Sequence, residues 1–230
     1  MESQSVARQT FHLEIQQIEH DVLDMGSRAE AMIARAIEAL ASLDHDLAME
    51  TIRRDDEIDE REHSIEERCL KLLMLQQPAG SDFRTLGTAI KMITDIERIA
   101  DLAVDIAKVA LKIEKELGET NIIDLPRMGN VARAMFREAL EAFVRRDMGL
   151  IERVIEKDDE VDEMYRELRA QIHADMRANP ESVVADGWLL LAIHHVERIA
   201  DHAVNIAERV AYLVTGAPMK LVKEEFRDKH

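Results

Sequence analysis

The chain has 230 residues, of which 47% are hydrophobic, enough to bury a sizeable core, and only 8 glycines and 4 prolines interrupt it. A composition led by Ala, Leu, Ile, Met, Glu and Arg favours helices over strands or disorder. With 47 acidic against 30 basic side chains the formal net charge is −17, which repels phosphate backbones and speaks against direct nucleic-acid binding.

The N-terminus, MESQSVARQTFHLE, has no basic start followed by an apolar run, so it does not read as an export signal. Apolar residues recur at helical spacing from about Phe11 to Leu43 and predict a first helix that stops at the polar stretch Asp44 to Asp46. A second helix is expected from about Leu47 through Ile52, Ile58, Ile65 and Leu75, until Pro78 and Gly80 break it. It carries the only cysteine, Cys69, which excludes an intrachain disulfide and reads as a packed thiol in the run EERCLKLL. Ser81 or Asp82 is placed to cap a third helix running through Ile90, Ile96 and Val104 toward Gly118.

Glu119 to Leu125 reads as a linker, and Asp124 ahead of Pro126 starts a fourth helix that reaches about Arg146. A fifth follows through Val154, Val161, Leu168 and Ile172, and Asn179-Pro180 opens a sixth that ends near Gly216-Ala217-Pro218. The longest apolar stretch, Trp188 to Ile193, is too short to cross a bilayer, so a cytoplasmic protein without membrane insertion is expected. Met219 to His230 form a charged tail.

The second half repeats the first. Met25-Gly26 and Asp55-Asp56-Glu57 recur 103 residues later as Met128-Gly129 and Asp158-Asp159-Glu160. IERIADLAVDIAK, beginning at Ile96, recurs 100 residues later as VERIADHAVNIAE with 9 of 13 positions identical. The expected fold is all-α, two tandem pseudosymmetric three-helix bundles over residues 1–117 and 118–230, with short connections favouring antiparallel neighbours.

Each half carries carboxylates paired at i, i+4: Asp55 with Asp59 and Glu97 with Asp101, then Asp158 with Asp162 and Glu197 with Asp201. Such spacing puts like charges on one helix face, which is mildly destabilising unless something neutralises them. On a helical wheel the acids of the third helices border the apolar stripe of Ala100, Ala103 and Val104; they neither occupy it nor oppose it. Surface salt bridges with Arg98 and Arg198 are one reading. Four pairs in matching register favour the other, oxygen-ligated metal ions such as Mg²⁺, Mn²⁺, Ca²⁺ or iron. With no cysteine cluster, a thiolate zinc site is excluded.

Two copies of an ERIADxAVxIA helix, each preceded by a DDE(I/V)DE helix, resemble the repeats of the PhoU family of phosphate-transport accessory proteins over nearly the whole chain. The resemblance implies that the repeated E(D)xxxD motif binds metal clusters through Asp55, Asp59, Glu97, Asp101, Asp158, Asp162, Glu197 and Asp201, with Fe, Mn, Mg and Zn all open as the ion. Ala100 and Ala200 stand where that family often has glycine, and Asp105 where it often has the asparagine found at Asn205. It also implies a non-enzymatic adaptor that couples the ATPase subunit of a phosphate transporter to a sensor histidine kinase and represses the phosphate-starvation response. A homodimer is among the assemblies it allows.

Two alternatives come from the residues. A ferritin-like metalloenzyme needs Glu-x-x-His on two helices, but Glu60 with His63 has no partner, because Arg166 stands at the second position. A phosphorelay module would use an exposed histidine such as His195, whose repeat counterpart is Asp95. His63, His194, His195 and His202 do not recur between halves and read as surface or packing residues, as do Trp188 and the methionines.

Overall fold

A computed structural model of the chain describes residues 2–116 and 124–217, with side chains over 8–113 and 124–217. The described residues form seven helices and no strand: α1 (Glu2–Ser42), α2 (His45–Ile52), α3 (Asp55–Gln76), α4 (Ser81–Glu116), α5 (Leu125–Arg145), α6 (Met148–Ala178) and α7 (Val183–Thr215). The expected stop at Gly118, most of the linker, the 117/118 boundary and the charged tail lie outside the described residues.

Each repeat turns its first corner the same way. Leu43 and Arg146, 103 positions apart, both take left-handed φ values, 52° and 54°. The next residues, Asp44 and Asp147, donate their N–H groups back to the carbonyls of Ala39 and Ala142 at 3.0 and 3.3 Å. Their carboxylates then cap the following helices, accepting from the N–H of Leu47 at 2.9 Å and of Gly149 at 2.8 Å. The polar stretch read as a break is therefore a C-cap fused to an N-cap in both halves.

The second helix differs from expectation in the first repeat alone. It is broken at Arg53-Arg54 into α2 and α3, whereas its counterpart α6 is continuous. The Thr51 hydroxyl donates to the carbonyl of Leu47 at 2.8 Å, a back-bond that bends helices, and Arg54 N–H closes a tight turn onto Thr51 O at 3.1 Å. At the position equivalent to Thr51, α6 has Val154, which has no hydroxyl to donate.

Other boundaries also move. α1 starts at Glu2, well before Phe11. Ser81 is the first residue of α4 and follows Gly80 at φ 62°, so neither Ser81 nor Asp82 is its cap. Asn179 begins a turn closed by Ser182 N–H onto Asn179 O at 3.0 Å, and α7 starts after it, at Val183. The stop at Gly216, with φ 69°, is as expected.

Within each repeat the three long helices pack antiparallel in sequence. α4 packs on α7 and α1 on α5 between the repeats, so one apolar core runs through both, from Ile18 and Ile93 to Phe136 and Ile199. No helix among the described residues is long and apolar enough to cross a membrane.

Candidate metal centre

The first acidic set sits where α3 and α4 pack side by side. Ala100, Ala103 and Val104 are buried in the core, and this rotation of α4 brings Glu97 and Asp101 to the edge of the interface. The Glu97 side chain is only 16% exposed. Burial, then the charge of Asp101, then those of Glu62 and Asp59 across the interface push its carboxyl up to about 7 against the opposing pull of Arg98. Asp55, half-buried in the first turn of α3, is raised by burial and next by Asp101 and Asp59. Asp55 and Glu97 thus each feel the charges of both Asp59 and Asp101 across the two helices.

Arg98 is the local counter-ion: its Nε lies 3.4 Å from Glu97 Oε2 and its Nη1 donates to Asp101 Oδ2 at 3.1 Å. Asp105 accepts from Lys108 Nζ at 3.0 Å. The salt-bridge reading of the sequence is therefore realised in the first repeat.

The second set is built alike on α6 and α7. Burial, Asp201 and Asp162 raise the Glu197 carboxyl, while His194 pulls it down. His194 Nδ1 lies 3.1 Å from Glu197 Oε2, a buried oxygen that makes no other hydrogen bond. Asp158 is half-buried, as Asp55 is, and Asp162 and Asp201 are exposed. His194 stands where the first repeat has Thr94, so the two sets are chemically unequal.

Among the described residues no three His, Cys, Asp or Glu side chains stand together as a ready ligand group for a metal ion. Glu97 and Asp101 share Arg98 as their counter-ion, which a cation would have to displace. In donor chemistry the first set is all carboxylate oxygen and fits a hard cation, and the second adds the His194 imidazole, 3.1 Å from Glu197 Oε2, to its carboxylates.

Of the histidines, His63 is exposed, and His195, taken as an exposed candidate for phosphate transfer, is instead buried at 7% in the α4–α7 interface with its Nδ1 unpartnered. Burial lowers its pKa first, with the charge of Asp105 opposing. The Asp95 carboxylate, buried at the repeat-equivalent position, binds across that interface to His202 Nδ1 at 3.0 Å and Arg209 Nε at 2.6 Å. Sequence reading missed this triad and Glu62; the signals were an acid inside the apolar stripe of α4 and an acid one turn beyond Asp59. Cys69 is fully buried, and burial pushes its thiol up to about 12.

A sequence profile for the PhoU domain matches residues 22–110 and 125–210, one copy per repeat. The chain is 32% identical over 217 residues to the phosphate-specific transport system accessory protein PhoU homolog of Clostridium acetobutylicum, covering 94% of this chain and 99% of that one. It is 30% identical over 219 residues to the phosphate-specific transport system accessory protein PhoU of Escherichia coli, covering 95% and 91%. Among solved structures, PhoU from Pseudomonas aeruginosa superposes with a TM-score of 0.86 at 33% identity, over 90% of this chain and all of that one. The phosphate transport system regulatory protein PhoU from Streptococcus pneumoniae gives 0.83 at 32% identity, over 90% and 98%. Two matched repeats in order, at this identity and over nearly the full length, place the chain in the PhoU family.

Proposed function

We propose that this chain is a cytoplasmic accessory protein of a phosphate-specific transporter, which contacts the transporter's ATPase subunit and the sensor kinase of the phosphate response and lowers kinase output when phosphate is plentiful. The observation that carries this reading is the end-to-end match of both repeats to accessory proteins of that transport system. It acts by binding and not by catalysis, through long helical surfaces and an acidic field that suit protein partners.

Metal binding belongs to the same reading. Asp55, Asp59, Glu97 and Asp101 would hold a cation in the first repeat, and Asp158, Asp162, Glu197 and Asp201 in the second, the half-buried Glu97 and Glu197 being the carboxyls raised by burial and by their acidic neighbours. A bound ion would supply positive charge that lets these carboxylates ionise together.

The test is expression of a phosphate-starvation reporter in phosphate-rich cells with and without the gene, alongside co-purification of the tagged chain with the two partners. Derepression on deletion together with recovery of both partners is expected. A reporter that stays repressed, with neither partner recovered, overturns the adaptor.

A further inference from the structure

The two acidic sets differ at two positions beside the central glutamate, one a turn earlier on its own helix and one on the facing helix. In the first repeat these positions hold Thr94 and Glu62, and in the second His194 and Tyr165. Thr94 is turned to its own backbone, its hydroxyl donating to the Ile90 carbonyl at 3.4 Å. Glu62 adds a further negative charge that Glu97 feels from α3. The second repeat exchanges that carboxylate for a phenol and gains an imidazole.

The group set against each glutamate also differs in kind. Glu97 Oε2 meets the guanidinium of Arg98 at 3.4 Å, and Glu197 Oε2 meets His194 Nδ1 at 3.1 Å. A guanidinium has no lone pair to offer a metal, whereas a neutral imidazole carries one. At bond lengths of about 2.1 Å, two neighbouring ligands of one ion stand about 3 Å apart, so His194 and Glu197 are already spaced to share one. The His194 side chain is 48% exposed, which lets an ion reach it from solvent. It is also steadied by packing: its ring centroid lies 6.2 Å from that of Tyr165, and the Arg169 guanidinium lies over the Tyr165 ring at 5.5 Å.

We propose that the two repeats take different ions, with His194 a ligand that makes the second set selective for a borderline transition ion of the Fe²⁺, Co²⁺, Ni²⁺ and Zn²⁺ class. The first set, all carboxylate, takes a hard ion such as Mg²⁺ or Mn²⁺. Imidazole suits the former ions and carboxylate oxygen the latter. The absence of a counterpart to His194 in the first repeat, which argues against a ligand common to both, is what separates them. The inference rests on the metal-binding reading and gives each repeat its own class of ion.

Two full-length variants isolate the sets: Glu97→Ala with Asp101→Ala leaves that of the second repeat, and Glu197→Ala with Asp201→Ala leaves that of the first. Each, without a polyhistidine tag and stripped by chelator, is titrated calorimetrically with Co²⁺ and with Mn²⁺ at one pH. Nitrogen and oxygen sites in general favour Co²⁺ over Mn²⁺, so the readout is the ratio of the two affinities. That ratio should be at least about tenfold larger for the second repeat, and adding His194→Ala should remove the excess by weakening Co²⁺ alone. The visible spectrum of Co²⁺ in the second repeat should change with His194→Ala and not with His173→Ala, an exposed histidine of α6. Equal ratios in the two repeats, or a ratio untouched by His194→Ala, overturns the inference and leaves metal binding in place. Failure of wild type to bind either ion sinks the metal-binding reading itself.

Discussion

Gly26 of α1 lies so close to Leu140 of α5 that a Cβ on the glycine would stand 2.5 Å from Leu140 Cδ1. The same contact is made in reverse: a Cβ on Gly129 of α5 would stand 2.3 Å from Ile37 Cδ1 of α1. Gly26 and Gly129 are repeat equivalents, as are Ile37 and Leu140, so the repeats cross about a local pseudo-twofold axis with a glycine on each side. Gly26→Ala and Gly129→Ala each gain about 1 kcal/mol of helix propensity and lose about 1–3 kcal/mol to overpacking. The γ-branched Leu140 has more freedom to turn aside than the β-branched Ile37. Gly129→Ala should therefore be the more destabilising in urea unfolding, and Ile37→Ala should offset part of its cost. A stabilised Gly129→Ala variant would show that the crossing is not held by this contact.

Of this crossing the sequence shows only a Met-Gly step that recurs 103 residues later and marks the repeat; what the glycines touch is not visible there. Periodicity gave the long helices and the border position of Glu97 and Asp101, since burial follows the apolar stripe. It could not give the break at Arg53-Arg54, which turns on whether a Thr51 hydroxyl finds the Leu47 carbonyl. Nor could it give the Asp95, His202 and Arg209 triad, whose members meet only once α4 and α7 from different repeats are packed. Among the acids, spacing told which could share a face, but the Arg98 bridge that competes for Glu97 and Asp101 depends on rotamers.

The Asp95 triad yields the second prediction. Asp95 is buried, and its two cationic or polar partners on α7 are partly so. Removing the acid by Asp95→Ala leaves Arg209 and His202 facing each other without a counter-charge. Given their partial exposure, a loss of about 2–3 kcal/mol is expected, somewhat below that of a fully buried pair. Arg209→Ala should cost less than Asp95→Ala, because the carboxylate keeps His202. Thermal unfolding of the two variants checks the order, and equal costs would show that His202 alone does not sustain the buried carboxylate.

Glu97 sets a pH dependence with a definite sign. Its folded-state pKa of about 7 lies above the ordinary 4.5. Its contribution is therefore fully present below pH 4.5 and is lost as the pH rises through about 7, where the folded chain must carry the charge. Glu97→Gln cannot ionise, so wild type should lose stability relative to the variant across this window. With screening by solvent at the edge of the interface, the loss is on the order of 1 kcal/mol. Urea unfolding at pH 4.5, 6 and 7.5 measures the difference; parallel curves would mean that Glu97 titrates like an ordinary surface acid.

The raised carboxyl at Glu97 also gives metal binding a signature separate from metal content. A cation held by Asp59, Glu97 and Asp101 favours the ionised form of all three, so binding near pH 7 should release part of a proton from Glu97 as Arg98 is displaced. Calorimetric titration with Mn²⁺ in two buffers of different ionisation enthalpy reads that proton directly. Glu97→Ala with Asp101→Ala should abolish the release assigned to the first repeat and lower metal content measured by elemental analysis. Helicity should hold, because Asp101 is partly exposed and Glu97 borders the core without filling it. The second repeat keeps Glu197 and Asp201 intact, so some metal should remain, bound with less proton release if His194 and not a neutral carboxyl balances the charge at Glu197. Unchanged stoichiometry in the double variant, or binding without proton release in wild type, would sink the assignment of the first-repeat carboxylates and leave Arg98 as their counter-ion.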